Sequence, residues 1–244
     1  MGSARVAERN LDLGMDTAAD AASLALLRGD EVIAERAWHV DSTMSKELLG
    51  QLDALLTDAG ATRNEIASIA VTTGPGTYGA VRTGLATAQG LALALDVPLA
   101  GVGRLEAEAA LYLATAEAGR TVIAVHEAGR SGIAWAAYVL DAPGGLPRCT
   151  VEPRLSTPDE VAREAPVATW CGEVTDTLRD ALRDAGRGSG DTGLSGETGT
   201  TPSGSRAAAL VRIARGRQAY GDPALVDAFY LRPPSITRAK QREV

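Results

Sequence analysis

Asp16 and Thr17 stand side by side where an apolar run over residues 11–17 ends. An aspartate beside a hydroxyl at a strand end is a pairing that can hold a metal ion and the phosphate it carries. Farther along, Gly74-Pro75-Gly76-Thr77-Tyr78-Gly79 separates another apolar run from a helical pattern. Backbone N–H groups freed at such a turn, at the positive end of a helix, can cradle an anion. Gly76 and Thr77 are the candidates for that contact. Arg82 places a positive charge near the same helix start, against the dipole, which points to a carboxylate or phosphate partner or to a local salt bridge. Asp16, Thr17, Gly76, Thr77 and Arg82 are therefore the candidate nucleotide or anion contacts. Each has a plainer reading. Ala18 adds no hydroxyl and no glycine flanks Asp16, so the first turn reads as structural or as a weak interface site. The second segment reads equally as a tight turn that aims a helix. Asp12-Leu13-Gly14 lies inside the strand and is set aside as a phosphate signature.

Other chemistry is thinly supplied. The two cysteines, Cys149 and Cys171, have no CxxC spacing, and the two histidines, His39 and His126, stand far apart, so no metal-ligand pattern is legible.

The elements that must position these residues follow from the apolar periodicity. Residues 11–17, 21–27 and 31–38 read as three antiparallel strands, the last two joined at Arg28-Gly29-Asp30. Asp41-Ser42-Thr43 offers caps for a helix over 44–59, with Leu48, Leu52 and Leu55 on its apolar stripe. Residues 66–73, 79–95 and 97–102 then give strand, helix, strand, whose two strands should run parallel in one sheet. Gly84, Ala88 and Ala92 form a narrow ridge on that helix, where another backbone can approach closely. The second half reads as a helix over 105–118, strands at 122–126 and 132–140, a loop at 141–147, a helix at 158–164, a strand at 167–171 and helices at 174–185 and 207–215. A Gly-, Ser- and Thr-rich stretch at 186–206 is expected to be flexible.

Composition bounds the function. The chain has 244 residues, of which 45% are apolar and only 4% aromatic, so its core should consist of small aliphatic side chains between helices and sheets. A net charge of −7 argues against a protein that grips nucleic acid alone, since phosphate binding rests on clustered Lys and Arg. No apolar run is long enough to cross a membrane and the first ten residues lack a leader-like apolar core, so a cytoplasmic location is expected.

The order of three antiparallel strands, helix, strand, helix, strand is that of ribonuclease-H-like and actin-like folds. At residue level, Asp16-Thr17, the run from Gly74 to Gly84, Ala88-Gln89-Gly90-Leu91-Ala92, Pro98-Leu99-Ala100-Gly101-Val102, Gly129-Arg130 and the closing Tyr230-Leu231-Arg232-Pro233 resemble the TsaB (YeaZ) family. The resemblance covers residues 11–140 and returns at 230–233. It departs at Ala18, where the family has serine, at Tyr78, where it has phenylalanine, at Gly79-Ala80, and at Met44-Ser45, where it has a histidine-serine pair.

That resemblance implies an α/β, actin-like (ASKHA) fold of two ribonuclease-H-like subdomains, at 1–103 and 104–244. It implies a non-catalytic subunit that supports TsaD, together with the ATPase TsaE, in threonylcarbamoyl transfer to the adenosine beside the anticodon of tRNAs reading codons that begin with A. ATP and metal would sit on the partner subunits, with no cofactor held by this chain, and tRNA would be met through the complex. The family's partner surface is a helix pair, here 44–59 and 79–95. Leu48, Leu52 and Leu55 would supply apolar anchors and Gly84 and Ala88 close approach, unless these residues face their own sheet. On this reading Leu52→Asp should weaken assembly and spare the isolated fold. A homodimer through the same helices is a competing arrangement. An independent actin-like kinase or glycoprotease-type peptidase is the competing function, and it would need a second phosphate loop or clustered histidines.

Overall fold

Strand β1 (Leu11–Asp16) pairs antiparallel with β2 (Ala21–Arg28), which pairs antiparallel with β3 (Glu31–His39). On its other edge β1 runs parallel to β4 (Ile66–Gly74), and β4 runs parallel to β5 (Leu99–Gly103). The resulting order is β3-β2-β1-β4-β5. The coordinates are a computed structural model that describes residues 8–40, 44–129, 132–187 and 205–232. The proposed caps at 41–43 and most of the stretch expected to be flexible lie outside the described residues.

The central strands are apolar on both faces because both faces are covered. Leu11, Leu13, Met15, Leu24, Leu26, Ile69 and Val71 meet α1 (Met44–Asp58) and α2 (Tyr78–Leu95) on one side. The alternate residues Ala25, Leu27, Ala70, Ala100 and Val102 meet α3 (Arg104–Leu113) and, farther along the chain, a helix at Arg206–Gly216. Strand β1 shows the alternation most sharply: Leu11, Leu13 and Met15 point into the α1–α2 core, while Asp12, Gly14 and Asp16 take the opposite parity.

A second sheet has the order β8-β7-β6-β9, made from β6 (Thr121–Glu127), β7 (Ile133–Val139), β8 (Arg148–Ser156) and β9 (Thr169–Gly172). Its strands β6, β7 and β8 are antiparallel and β9 runs parallel to β6, so it repeats the pairing of the first four strands of the other sheet. Two such units make the actin-like fold. Helices α4 (Pro158–Glu164) and α5 (Asp176–Asp184) pack on one face through Val161, Leu178 and Leu182. The other face meets α3, whose Leu105, Ala109 and Leu113 enter the second core while its Ala107 and Leu111 enter the first. A single helix thus lies between the two sheets.

Two features differ from the sequence expectation. Strand β8 was not expected. It alternates Arg148, Thr150, Glu152 and Arg154 with Cys149, Val151, Pro153 and Leu155, and the proline is tolerated because β8 is the sheet edge. The helix Arg206–Gly216, α6, comes late in the chain yet packs on β1, β2 and β4 of the first sheet. Sequence order and spatial grouping therefore part company for this segment. Among the described residues no helix is long and apolar enough to cross a membrane.

Candidate functional site

The first turn is occupied from within. Asp16 is fully buried, and its Oδ1 accepts from the hydroxyl of Thr72 at 2.5 Å and from the amide of Ala18 at 3.1 Å. Its Oδ2 accepts from Nε of Arg206 on α6. Burial opposes ionisation, yet Arg206, the Thr72 hydroxyl and Arg104 outweigh it and hold the carboxyl below its usual range. Arg206 also donates to the carbonyl of Ala21 and to Glu108, so the guanidinium is fixed on several sides. A metal ion at Asp16 would have to displace that arginine. Thr17 is buried too, and its hydroxyl donates to the carbonyl of Ala80 at 2.9 Å.

The same strand face explains Gly14. A Cβ there would lie 2.0 Å from the carbonyl oxygen of Ala207, so α6 rests directly on the β1 backbone. Arg215 on α6 reaches Asp12 at 3.5 Å. The alternation Asp12, Gly14, Asp16 that looks like phosphate chemistry is the seat of a basic, alanine-rich helix.

The glycine-proline turn does border a cleft. Gly76 packs against the carbonyl of Ala18, where a Cβ would come to 2.3 Å. Pro75, Gly76 and Thr77 line a cavity of about 350 Å³ with His126 and Glu127 from the end of β6, Leu155 from β8, and Phe229 to Arg232 from the chain's last described residues. An adjoining hollow shares Thr77, His126, Glu127 and Gly129 and adds Asp20 and Glu173.

Between the two sheets lies a network that the sequence did not disclose. Arg104, at the start of α3, donates through Nη1 to the carbonyl of Ala18 at 3.0 Å and lies 2.7 Å from Nδ1 of His126. Its Nη2 donates to Glu173, whose other oxygen is 2.6 Å from the same Nδ1 and accepts from the amide of Glu127 at 3.1 Å. Partial burial resists ionisation of Glu173, but the His126 hydrogen bond and the Arg104 charge prevail and draw its pKa down to about 2. These groups come from three segments 22 to 69 residues apart, so no local motif marks them.

Of the five expected anion contacts, Gly76 and Thr77 face the cleft and Asp16 and Thr17 serve the fold. Arg82 is exposed on α2 and does not line the cavity. The expected partner anchors are corrected. Leu48, Leu52 and Leu55 are buried in the chain's own first core, because the α1 stripe faces β2 and β3. Ala88 is buried there as well, and a Cβ on Gly84 would lie 2.0 Å from the Thr17 hydroxyl, so the close approach it permits is internal. The outward side of the helix pair carries Leu49, 46% exposed, and Leu93, 67% exposed, together with exposed Gly50, Ala86 and Gly90.

Comparison with known proteins places this geometry. The family model for TsaD, tRNA N6-adenosine threonylcarbamoyltransferase, matches residues 39–143. The tRNA threonylcarbamoyladenosine biosynthesis protein TsaB of Bacillus subtilis (strain 168) is 37% identical over 98 residues, covering 40% of this chain and 43% of that protein. The Haemophilus influenzae TsaB is 35% identical over 112 residues, covering 43% of this chain and 45% of that one. In structure, YeaZ from Pseudomonas aeruginosa superposes with a TM-score of 0.70 at 24% identity, over 91% of this chain and all of that one. A second Pseudomonas aeruginosa structure, described as similar to peptidase YEAZ, gives 0.73 at 23% identity with the same coverage. The chain is similar in sequence to TsaB proteins over part of its length and shares the YeaZ fold. The TsaD-type match to the same region is a likeness between related folds: the Chlorobium limicola tRNA N6-adenosine threonylcarbamoyltransferase is 36% identical over 109 residues, 31% of its length. The aligned region spans less than half the length of these TsaB relatives. The two Pseudomonas aeruginosa structures are matched along their whole length, which supports the shared fold alone.

Proposed function

We propose that this chain takes part in threonylcarbamoyladenosine formation on tRNA as a non-catalytic subunit, docking through α1 and α2 onto a TsaD-type threonylcarbamoyltransferase. One observation carries the non-catalytic part: the aspartate that would hold metal and phosphate, Asp16, is buried against Arg206. The cleft beside it supports the same reading. Asp20, Glu127 and Glu173 border it, and Arg104 and Arg206 are already engaged by carboxylates of the chain, so a phosphate chain would meet repulsion there.

The docking part rests on the exposed face of the helix pair. Leu49 and Leu93 are large apolar side chains in water, and Gly50, Ala86 and Gly90 leave the backbone open to close helix contact. A second copy of the chain would compete for the same face. On this proposal TsaE joins the assembly, ATP and metal sit on the partner subunits, tRNA is met through the complex in the cytoplasm, and the modified base is the adenosine beside the anticodon of tRNAs reading codons that begin with A.

The test is reconstitution of threonylcarbamoyl transfer with purified TsaD, TsaE and the threonylcarbamoyl-adenylate synthase, with and without this protein. The expected result is transfer that depends on the chain, while the chain alone hydrolyses neither ATP nor peptides. Equal transfer without it overturns the proposal, and ATPase or peptidase activity of the isolated chain would favour the enzyme reading.

A further inference from the structure

Near the start of α2 the chain carries a cation, Arg82, that forms no ion pair with a carboxylate among the described residues. Arg82 is exposed, the first turn of α2 holds no acidic residue, and the positive end of the helix dipole lies close by. Among the described residues no carboxylate comes within ion-pair distance of it. Asp227 acts on it only as a weaker, longer-range charge.

The guanidinium is nevertheless held in place. It lies 4.3 Å from the centre of the Tyr78 ring, and its Nε donates to the Tyr230 hydroxyl at 3.1 Å. Tyr78 and Tyr230 stack at 5.2 Å with 27° between their planes. Tyr230 arrives there on a strap that crosses the sheet edge and α2. Gly221 and Leu99 exchange two backbone hydrogen bonds of 3.0 Å. Gln89 donates to the carbonyls of Pro223 and Val226, and the amide of Phe229 donates to Thr73 at 2.8 Å. Among the described residues the two terminal nitrogens of Arg82 make no hydrogen bond.

A planar fork fixed by an aromatic ring, with its terminal N–H groups open, is preorganised for a carboxylate taken bidentately. The surroundings suit a protein surface. Tyr78 is 43% and Phe229 42% exposed, and the apolar outer face of α2 continues from them through Ala86 to Leu93. Buried tyrosine and arginine anchors carry a large share of binding energy at protein interfaces. Asp20, Glu127, Glu173 and Asp227 on the neighbouring surface, in a chain of net charge −7, disfavour a run of phosphates.

We propose that Tyr78, Arg82 and Tyr230 form the anchor of the docking face, with Arg82 receiving an aspartate or glutamate of the partner protein and Tyr78 and Phe229 covering its apolar neighbours. This rests on the docking reading above and names the chemistry the partner must present.

The test measures the affinity of the full chain for its own organism's tRNA N6-adenosine threonylcarbamoyltransferase at low and high salt. The variants are Arg82→Gln, Arg82→Lys, Tyr230→Phe and Leu93→Asp, each checked for an unchanged melting curve. Arg82→Gln should weaken binding about thirtyfold, chiefly through faster dissociation, and should flatten the salt dependence. Arg82→Lys should restore only part of the affinity, because an ammonium lacks the fork. Tyr230→Phe should cost a smaller factor by freeing Nε. If Leu93→Asp disrupts binding while Arg82→Gln stays within twofold of the parent, the anchor is refuted and the docking face survives. If the parent chain does not bind at all, both fall. If Arg82→Gln lowers affinity for purified tRNA and leaves protein affinity intact, the cluster is a nucleic-acid contact and the proposal is overturned.

Discussion

Nε of Arg206 lies 2.5 Å from Oδ2 of Asp16, joining residues 190 positions apart across the first sheet and α6. The pairing turns a strand end suited to metal and phosphate into a structural joint. Arg206 also spans to Glu108 on α3, so α6, β1 and the helix between the sheets meet at one guanidinium.

Removing the aspartate should be costly for that reason. Asp16→Ala leaves Arg206 largely buried without its main counter-charge, and loss of one partner from a buried pair costs about 3–5 kcal/mol. Urea denaturation should show a lower midpoint of that size with an unchanged slope. A double variant, Asp16→Asn with Arg206→Met, should recover part of the loss. An Asp16→Ala chain as stable as the parent would show that the pair is idle.

Glu173 sets a pH window. Its pKa is drawn to about 2 in the folded chain, below the ordinary value of 4.5, so the unfolded chain binds more protons between these limits. Stability from this group is present above about pH 4.5 and is lost as pH falls towards 2. Urea midpoints measured from pH 6 to pH 3 should fall for the parent, and the fall should be shallower in Glu173→Gln. Superimposable pH profiles would remove Glu173 from the joint between the sheets.

How much of this was legible in the sequence follows from where each signal lived. The five-stranded unit could be read because its central strands β1, β2 and β4 are largely buried and apolar, and β3, an edge strand that mixes charged with apolar residues, follows β2 across the short Arg28-Gly29-Asp30 turn. The β8 edge strand also carried a period of two, from Arg148 to Leu155, but Pro153 and the alternating charges masked it. Leu48, Leu52 and Leu55 were found as an apolar stripe, yet a stripe alone does not tell core from interface; contact with β2 and β3 decides it. Asp16 and Arg206, like Arg104 and Glu173, are joined only by the tertiary fold, and no spacing rule reaches across 190 or 69 residues.

Gly84 gives a steric test of the turn. A methyl group there would sit 2.0 Å from the Thr17 hydroxyl and about 3 Å from its carbons, so Gly84→Ala must push Thr17 aside and break its bond to Ala80. The expected cost is about 1–3 kcal/mol, set against a gain of about 1 kcal/mol in helix propensity. Thr17→Ala should relieve the clash, so the double variant should be more stable than Gly84→Ala alone. Additive losses in a double-mutant cycle would contradict the contact.

Leu52 and Leu93 separate the inner from the outer side of the helix pair. Leu52 is fully buried among β-strand leucines, so Leu52→Ala should cost about 2–5 kcal/mol. Leu52→Asp should unfold α1 rather than spare the isolated fold, because a carboxylate would enter an apolar core. Leu93 is 67% exposed, so Leu93→Asp should change stability by no more than about 0.5 kcal/mol. Its effect should appear on mixing with the transferase if the proposed docking face is the interface, because a charge there must be desolvated or excluded. Thermal melts of both variants, followed by size-exclusion chromatography with the partner, distinguish the sides. A stable Leu93→Asp chain that still co-elutes with the transferase would place the interface elsewhere on the surface, whereas loss of co-elution with a parent-like melt would assign the outer face of α2 to assembly.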